Sequence, residues 1–391
     1  MAIFVVYSIK EMDTPFVFGR IATAVEFTNR EKDLKQLMQN FSSGINTILV
    51  SPRRWGKSSL VNRASAVLAK KNKKIVFCKL DLYNVRDEEQ FYQLLAQEVI
   101  RASSTLWEER IENTKKFITR FIPKITYSPD VNTDFSIGLD WKEVKSHPDD
   151  ILDLPEKIAR KKGVKMIVCV DEFQNIGEFG QPLEFQKKLR SHWQKHQHTS
   201  YCLYGSKRHM MMKVFASPNM PFYKFGDLMF LQKINEESWK KFIVKRFNDT
   251  GKKISPELAS LISNAAELHP YYVQQLAQQT WLRTAKTCNE KNVLESLDNL
   301  LLQLSLLFQN ITDSLTAMQV NYLKAVLEEA VKVSSKESLE HYQIGTSANV
   351  LRMKEALINK EILDATGQEI AFLDPMYKQW LKKYYFQIIK N

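Results

Sequence analysis

No stretch of this chain runs to about 18 consecutive apolar residues, which excludes an ordinary membrane-spanning helix. The N-terminus also lacks the succession of basic, apolar and small residues that marks a secretory leader, so a cytoplasmic protein with no membrane association is expected. Cysteine is scarce: there are four, Cys78, Cys169, Cys202 and Cys288, none at zinc-ligand spacing from another. The first three fall in apolar, strand-like runs and the fourth in a helical stretch, so all read as reduced core thiols. Acidic residues are outnumbered, 44 against 56 basic ones, which leaves a net charge of +12 and a pI near 9.3. That balance invites a nucleic-acid partner. Part of the excess has a local explanation, however: Lys70–Lys74 and Arg160–Gly163 both close helices just before strands, where lysines complement the helix dipole and Gly163 suits a C-cap. With 44% hydrophobic and 11% aromatic residues the 391-residue chain is too apolar to be disordered. At about 100–200 residues per domain it has room for two or three.

The stretch that organises the chain is Thr47-Ile-Leu-Val-Ser-Pro-Arg-Arg-Trp-Gly-Lys-Ser-Ser-Leu60, an apolar run feeding a loop that opens a helix. It matches the phosphate-binding pattern of glycine, four residues, glycine, lysine, then serine or threonine, with Ser51 in the place of the first glycine. A helix N-terminus carries unpaired amides and a partial positive charge, so the loop Arg53, Arg54, Trp55, Gly56 and the residues Lys57, Ser58 and Ser59 are candidates to hold the phosphates of ATP. Lys57 would reach the β- and γ-phosphates and the Ser58 hydroxyl would ligate Mg²⁺. Ser51 sits where the strand turns out, and a positive φ there would cost a serine roughly 1–2 kcal/mol.

A second motif answers the first. Lys165-Met-Ile-Val-Cys-Val-Asp-Glu172 is an apolar strand ending in two carboxylates. In this pairing Asp171 would hold Mg²⁺ and Glu172 would orient the water that attacks the γ-phosphate. Between and around these motifs strands and helices alternate, which predicts an α/β fold with a parallel sheet and helices on both faces. Strands are expected at 74–82 and 200–204. Helices are expected from the 27–34 segment onward, with Thr28 or Asn29 as cap, and at 88–121, 149–162 and 182–196. The runs 124–128 and 134–141 read as a hairpin inserted into the domain. Residues 236–310 read as continuously helical. Thr316–Val331, Ser338–Gln343 and Thr346–Lys360 read as three helices, 362–372 as a two-stranded wing and Pro375–Ile388 as a last helix, together a winged helix-turn-helix with Thr346–Lys360 in the recognition position.

Arg30-Glu31, the phosphate loop, Asp171-Glu-Phe-Gln174, and Tyr204-Gly-Ser206 followed by Met210–Met212 together resemble the AAA+ ATPases grouped as the "ATPase domain predominantly from archaea", relatives of signal-transducing NTPases and of the Orc/Cdc6 branch. The resemblance spans roughly residues 13–388. It implies a P-loop AAA+ core (12–235, after an extension at 1–11, with the hairpin near 124–141), a helical lid with a connecting helix (236–310) and the winged helix (311–391). It also implies that Ser206 senses the γ-phosphate, that Arg30 belongs to the nucleotide site, and that His269-Pro270 starts a lid helix near the base. Relatives often read Pro-Leu-Tyr-Gly-Arg where this chain reads Pro221-Phe-Tyr-Lys-Phe225, so Lys224 stands in for the arginine finger offered to a neighbouring subunit and lacks its planar fork.

The expected activity is Mg²⁺-dependent, slow ATP hydrolysis that switches the lid and winged domain between arrangements, in a monomer or a homo-oligomer. The rival is a winged-helix regulator of DNA or of a partner protein whose nucleotide is structural. Asn349, Arg352, Lys354 and Lys360 are the candidates to face duplex DNA, with Glu355 and Glu361 opposing phosphate among them. His192, His196 and His198 have a spacing that could ligate metal, but no accompanying carboxylate or cysteine pattern, and read as a solvated helix end.

Overall fold

The structure, a computed structural model, describes residues 14–21, 29–104, 148–330, 333–366 and 369–388. The hairpin expected at 124–141, the extension at 1–11 and the Thr28 cap lie outside those residues. The chain divides into two compact units, Arg30–Gln232, and Lys233–Asn391 together with the N-terminal residues up to Asn29. Among the described residues no helix is long and apolar enough to cross a membrane.

The first unit is built on α1 (Glu31–Ser43), β1 (Thr47–Val50), α2 (Lys57–Lys71), β2 (Ile75–Asp81), α3 (Glu88–Ser104), α4 (Pro148–Leu152), α5 (Leu154–Lys162), β3 (Lys165–Asp171), α6 (Pro182–Trp193), β4 (Thr199–Gly205), α7 (Arg208–Phe215) and β5 (Asp227–Phe230). Its five strands are all parallel in the order β2-β3-β4-β1-β5. Every residue of β1 and β4 is buried, which is why these strands read as unbroken apolar runs: helices cover both faces. The edge strand β2 alternates instead. Gly163 closes α5 in the left-handed conformation, at φ 63°, directly after Arg160, Lys161 and Lys162, as expected from the sequence. The 149–162 helix is nonetheless two, because the chain turns at Asp153 and restarts with Pro155 in the first turn of α5.

The second unit contains α8 (Glu236–Asp249), α9 (Pro256–Ala265), α10 (Pro270–Arg283) and α11 (Glu290–Asp313), then α12 (Ala317–Leu327), α13 (Lys336–His341), α14 (Ser347–Asn359), the antiparallel β6 (Leu363–Thr366) and β7 (Glu369–Phe372), and α15 (Pro375–Trp380). The continuous helix expected over 236–310 is therefore four. Each break carries its own chemistry: Gly251 at φ 76°, Ser255 capping a helix that opens on Pro256, Pro270 in the first turn of α10, and an Asn289/Asn292 capping box. Cys288 sits in the last of these breaks rather than in a helix. The last helix ends at Trp380 and passes into a π-helical turn, Leu381–Tyr385, instead of running to Ile388. Tyr377 and Trp380 of α15 hydrogen-bond Thr312 and Ser305 of α11 at 2.9 and 3.0 Å.

Residues 14–18, which the sequence reading assigned to the ATPase core, pack in this second unit. Phe16 is buried against Phe242 and Phe247, Phe18 meets Tyr271 edge-on, and the Val17 amide donates to Gln274. An apolar Phe-Val-Phe segment with no strand partner takes the apolar faces that α8 and α10 offer.

The histidine run is not a solvated helix end. His192 Nδ1 lies 2.7 Å from Asp153, His198 Nδ1 lies 2.9 Å from Glu156, and His196, its side chain almost wholly buried, bridges Asp153 and the buried Tyr201. A carboxylate only accepts, so neutral His196 donates from Nε2 to Asp153 and accepts the Tyr201 hydroxyl's hydrogen bond at Nδ1. Burial holds the His196 pKa below its usual value even though Asp153 and Glu156 pull it up. A base whose folded pKa is depressed stabilises the fold above its unfolded pKa of about 6.5, and that contribution is lost as pH falls through the folded value. Melting temperature should therefore decline between pH 7 and 5, and decline less in a His196→Gln variant. Equal pH slopes in the two proteins would contradict this.

Candidate functional site

The site is assembled where β1 and β3 end. The phosphate loop leaves β1 at Ser51, which is buried, has a negative φ and donates its hydroxyl to the Pro52 carbonyl at 3.2 Å. Serine at the first glycine position therefore carries no left-handed strain. Positive φ comes later, at Arg54 (φ 63°), where it strains a side-chain-bearing residue, and at Gly56 (φ 90°), which adopts it freely. A Cβ on Gly56 would meet nothing within 4 Å, so glycine is favoured there by backbone conformation and not by crowding. Helix α2 then starts at Lys57, its N-terminal end at the loop, with Gly56, which has no side chain, as the cap residue.

Five side chains close on one another. Lys57, buried, places Nζ 3.4 Å from Glu172 Oε1. Ser58 donates its hydroxyl to Asp171 Oδ2 at 2.8 Å. Asp171 Oδ1 accepts from the Glu172 amide at 2.9 Å, which helps hold Glu172 in the left-handed region at φ 50°. Ser206, at the end of β4, donates both its hydroxyl (2.9 Å) and its amide (3.2 Å) to Glu172 Oε2. Burial pushes the Asp171 carboxyl above its ordinary range, against the pull of Lys57 and Ser58. Burial also acts upward on Glu172, but Lys57, Gln174 and Ser206 outweigh it and hold that carboxyl below its ordinary range. The two neighbours are thus driven apart: burial prevails at Asp171, while Lys57 and the hydrogen-bond donors prevail at Glu172.

The remaining candidates fall in different places. Arg53 and Arg54 are exposed on the loop, Trp55 is half-buried and Ser59 is buried in the first turn of α2. Arg30 is buried and braces the loop: it donates to the Trp55 carbonyl, to the Gln232 carbonyl after β5 and to Asp33. His269 and Pro270 open α10 in the other unit. Asn349, expected to face a groove, donates to the Ile344 carbonyl of its own domain at 3.2 Å. Lys354 is half-buried, while Arg352 and Lys360 are exposed. Gln174, which the sequence reading left without a role, donates to Glu172 Oε2 at 2.6 Å. The only signal for it was its position two residues beyond the acidic pair.

Lys224 is exposed at φ 54° in the turn before β5. Because β1 and β5 are parallel, with Thr47 beside Asp227 and Val50 beside Phe230, that turn lies at the strands' N-terminal edge, opposite the phosphate loop. Lys224 therefore cannot serve its own chain's loop. Phe225 beside it belongs to the core, ringed by Trp193, Tyr201 and Phe222 with the Arg190 guanidinium over its face.

Comparison with known proteins agrees with this geometry. The family described as the ATPase domain predominantly from Archaea matches residues 27–276, and a probable winged helix domain matches residues 306–383. The chain belongs to that ATPase family. Among solved structures it is similar to a Walker-type ATPase of Pyrococcus abyssi, at 16% identity and a TM-score of 0.64 over 94% of this chain and 99% of that one. It is also similar to the ORC2 protein of Aeropyrum pernix, solved in ADPNP-ADP complexes, at 13% identity and a TM-score of 0.55 over 96% of this chain and 98% of that one. These likenesses establish the fold: a five-stranded parallel P-loop sheet of the AAA+, Orc/Cdc6-like kind with a C-terminal winged helix. No curated protein matches the sequence.

The two residues of the 224–225 turn should separate cleanly in stability. Phe225→Arg buries a guanidinium among aromatic rings and should cost about 3 kcal/mol or more, which at roughly 2–4 °C per kcal/mol lowers the melting temperature by about 6–12 °C. Lys224→Arg should melt with the wild type. A Phe225→Arg protein of undiminished melting temperature would remove Phe225 from the core.

Proposed function

We propose that this archaeal-type P-loop ATPase binds Mg²⁺-ATP at the Lys57 cluster and hydrolyses it slowly, its nucleotide state acting as a switch. The observation that carries this reading is the close pairing of Lys57 with Glu172 (3.4 Å) and of Ser58 with Asp171 (2.8 Å) at the C-terminal ends of β1 and β3. The residues fit the group they would receive. The N-terminal end of α2 and the buried Lys57 suit phosphate, and an Asp171 carboxyl raised by burial is one that a divalent cation would return to its ionised form.

Bound Mg²⁺ would supply charge neutralisation on the phosphates. Lys57 would hold the terminal phosphates, and Ser58 and Asp171 would hold the metal. Glu172 would orient the attacking water and accept its proton. Ser206, hydrogen-bonded to Glu172 from the end of β4, is the sensor in this scheme because its hydroxyl can be drawn from carboxylate to phosphate. Arg30 sets the loop's shape rather than touching substrate. A finger for a neighbouring copy would come from Lys224, whose exposure on the far edge of the sheet suits action between chains in a homo-oligomer.

The winged domain is the output, toward duplex DNA or a partner protein. Exposed Arg352 supports phosphate contact, as does Lys360, exposed although its ammonium also donates to the Ser314 carbonyl at 3.4 Å, while Asn349 and Lys354, engaged or half-buried, are withdrawn from it.

Two substitutions test the site. Lys57→Ala should abolish measurable ATP affinity by calorimetry. Glu172→Gln should keep that affinity and lower phosphate release by about 10²–10⁴-fold, the range for a lost general base. Assays with and without duplex DNA place the switch on or off nucleic acid. Unchanged ATP affinity in Lys57→Ala would remove the site, and wild-type turnover in Glu172→Gln would leave the nucleotide a structural role.

A further inference from the structure

The two oxygens of Glu172 are held in unequal ways. Oε1 faces the Lys57 ammonium at 3.4 Å, whereas Oε2 accepts from Gln174 Nε2 at 2.6 Å, from the Ser206 hydroxyl at 2.9 Å and from the Ser206 amide at 3.2 Å. Three donors on one oxygen fill its lone-pair directions and leave it no room for water.

Gln174 is almost wholly buried, and its amide cannot be turned over, since that would set its carbonyl 2.6 Å from a carboxylate oxygen. Its own Oε1 has no hydrogen-bond partner among the described residues. It lies over the bare Cα of Gly205, only 1.8 Å from where a Cβ would stand. A buried carbonyl without a partner is a cost that packing alone would not retain, because a residue kept only to fill space could be apolar. The glutamine is held there by what its other end does.

We propose that Gln174 is a positioning residue that locks Glu172 by Oε2, so that Oε1 is the oxygen exposed to water once Lys57 moves to phosphate. The inference rests on the ATPase reading above. Without the Gln174 donor the carboxylate is free to rotate about its last bond and exchange its two oxygens, and Ser206, which that reading draws toward the γ-phosphate, is left as its only restraint. Gly205 belongs to the same device, since any side chain there would evict the amide.

Steady-state ATP hydrolysis by the full chain tests it with Gln174→Met, which keeps the length and removes the donor. The kcat should fall about 10–100-fold, the worth of a hydrogen bond to a charged group, with KM for ATP within about twofold of wild type because Lys57 and Ser58 are untouched. Melting temperature should hold or rise, because an unpaired buried carbonyl is removed with it. Gln174→Glu, which sets an acceptor where the donor stood, should lower kcat at least as far, again with KM little changed. Unchanged kcat in Gln174→Met would overturn the proposal, and so would a fall in kcat that merely accompanies a lower melting temperature or a matching rise in KM. Absence of hydrolysis in the wild type would instead overturn the ATPase reading itself.

Discussion

A buried lysine needs a counter-charge, and the one nearest Lys57 is Glu172. In a poorly solvated site an isolated ammonium would be expensive, so the ion pair keeps the phosphate loop and the end of β3 compatible with each other. The same contact defines the difficulty of the site. In the proposed function the cation meant for phosphate and the carboxylate meant for water neutralise each other, and a nucleotide would have to compete for the lysine before either group is available.

The sheet makes the contact. β1 ends in the loop and β3 ends in the acidic pair, with β4 hydrogen-bonded to both and ending in Gly205-Ser206. Three adjacent parallel strands thus deliver a lysine-bearing loop, two carboxylates and a serine to one edge, the position at which open α/β sheets take ligands. Arg30 then ties the loop to α1 and to the chain after β5.

Much of this was legible in the sequence because it is local. Lys57 with Ser58, and Asp171 with Glu172, are adjacent pairs at the ends of apolar runs, and strand ends carrying such residues converge in a parallel sheet. What was not legible depended on distant partners. The histidines looked solvated because their carboxylates, Asp153 and Glu156, lie some forty residues earlier, with separations of 39 and 42 positions. Gln174's grip on Glu172 needed the bare Cα of Gly205, more than a strand away. Phe225 stands where the family pattern carries its arginine, and only the ring cluster of Trp193, Tyr201 and Phe222 shows it to be core. The helical stretch from 236 onward looked unbroken because each short helix keeps its own apolar face, and that spacing outweighed the Ser255-Pro256 and His269-Pro270 start signals.

The central claim is that nucleotide takes Lys57 from Glu172 and leaves the Glu172 anchor in place. A crystal structure with Mg²⁺ and a non-hydrolysable ATP analogue tests it most directly. The account predicts Lys57 on a phosphate oxygen, Ser58 turned from Asp171 to the metal, and Glu172 Oε2 still bonded to Gln174. Lys57 remaining 3.4 Å from Glu172 Oε1 with the analogue bound would contradict it.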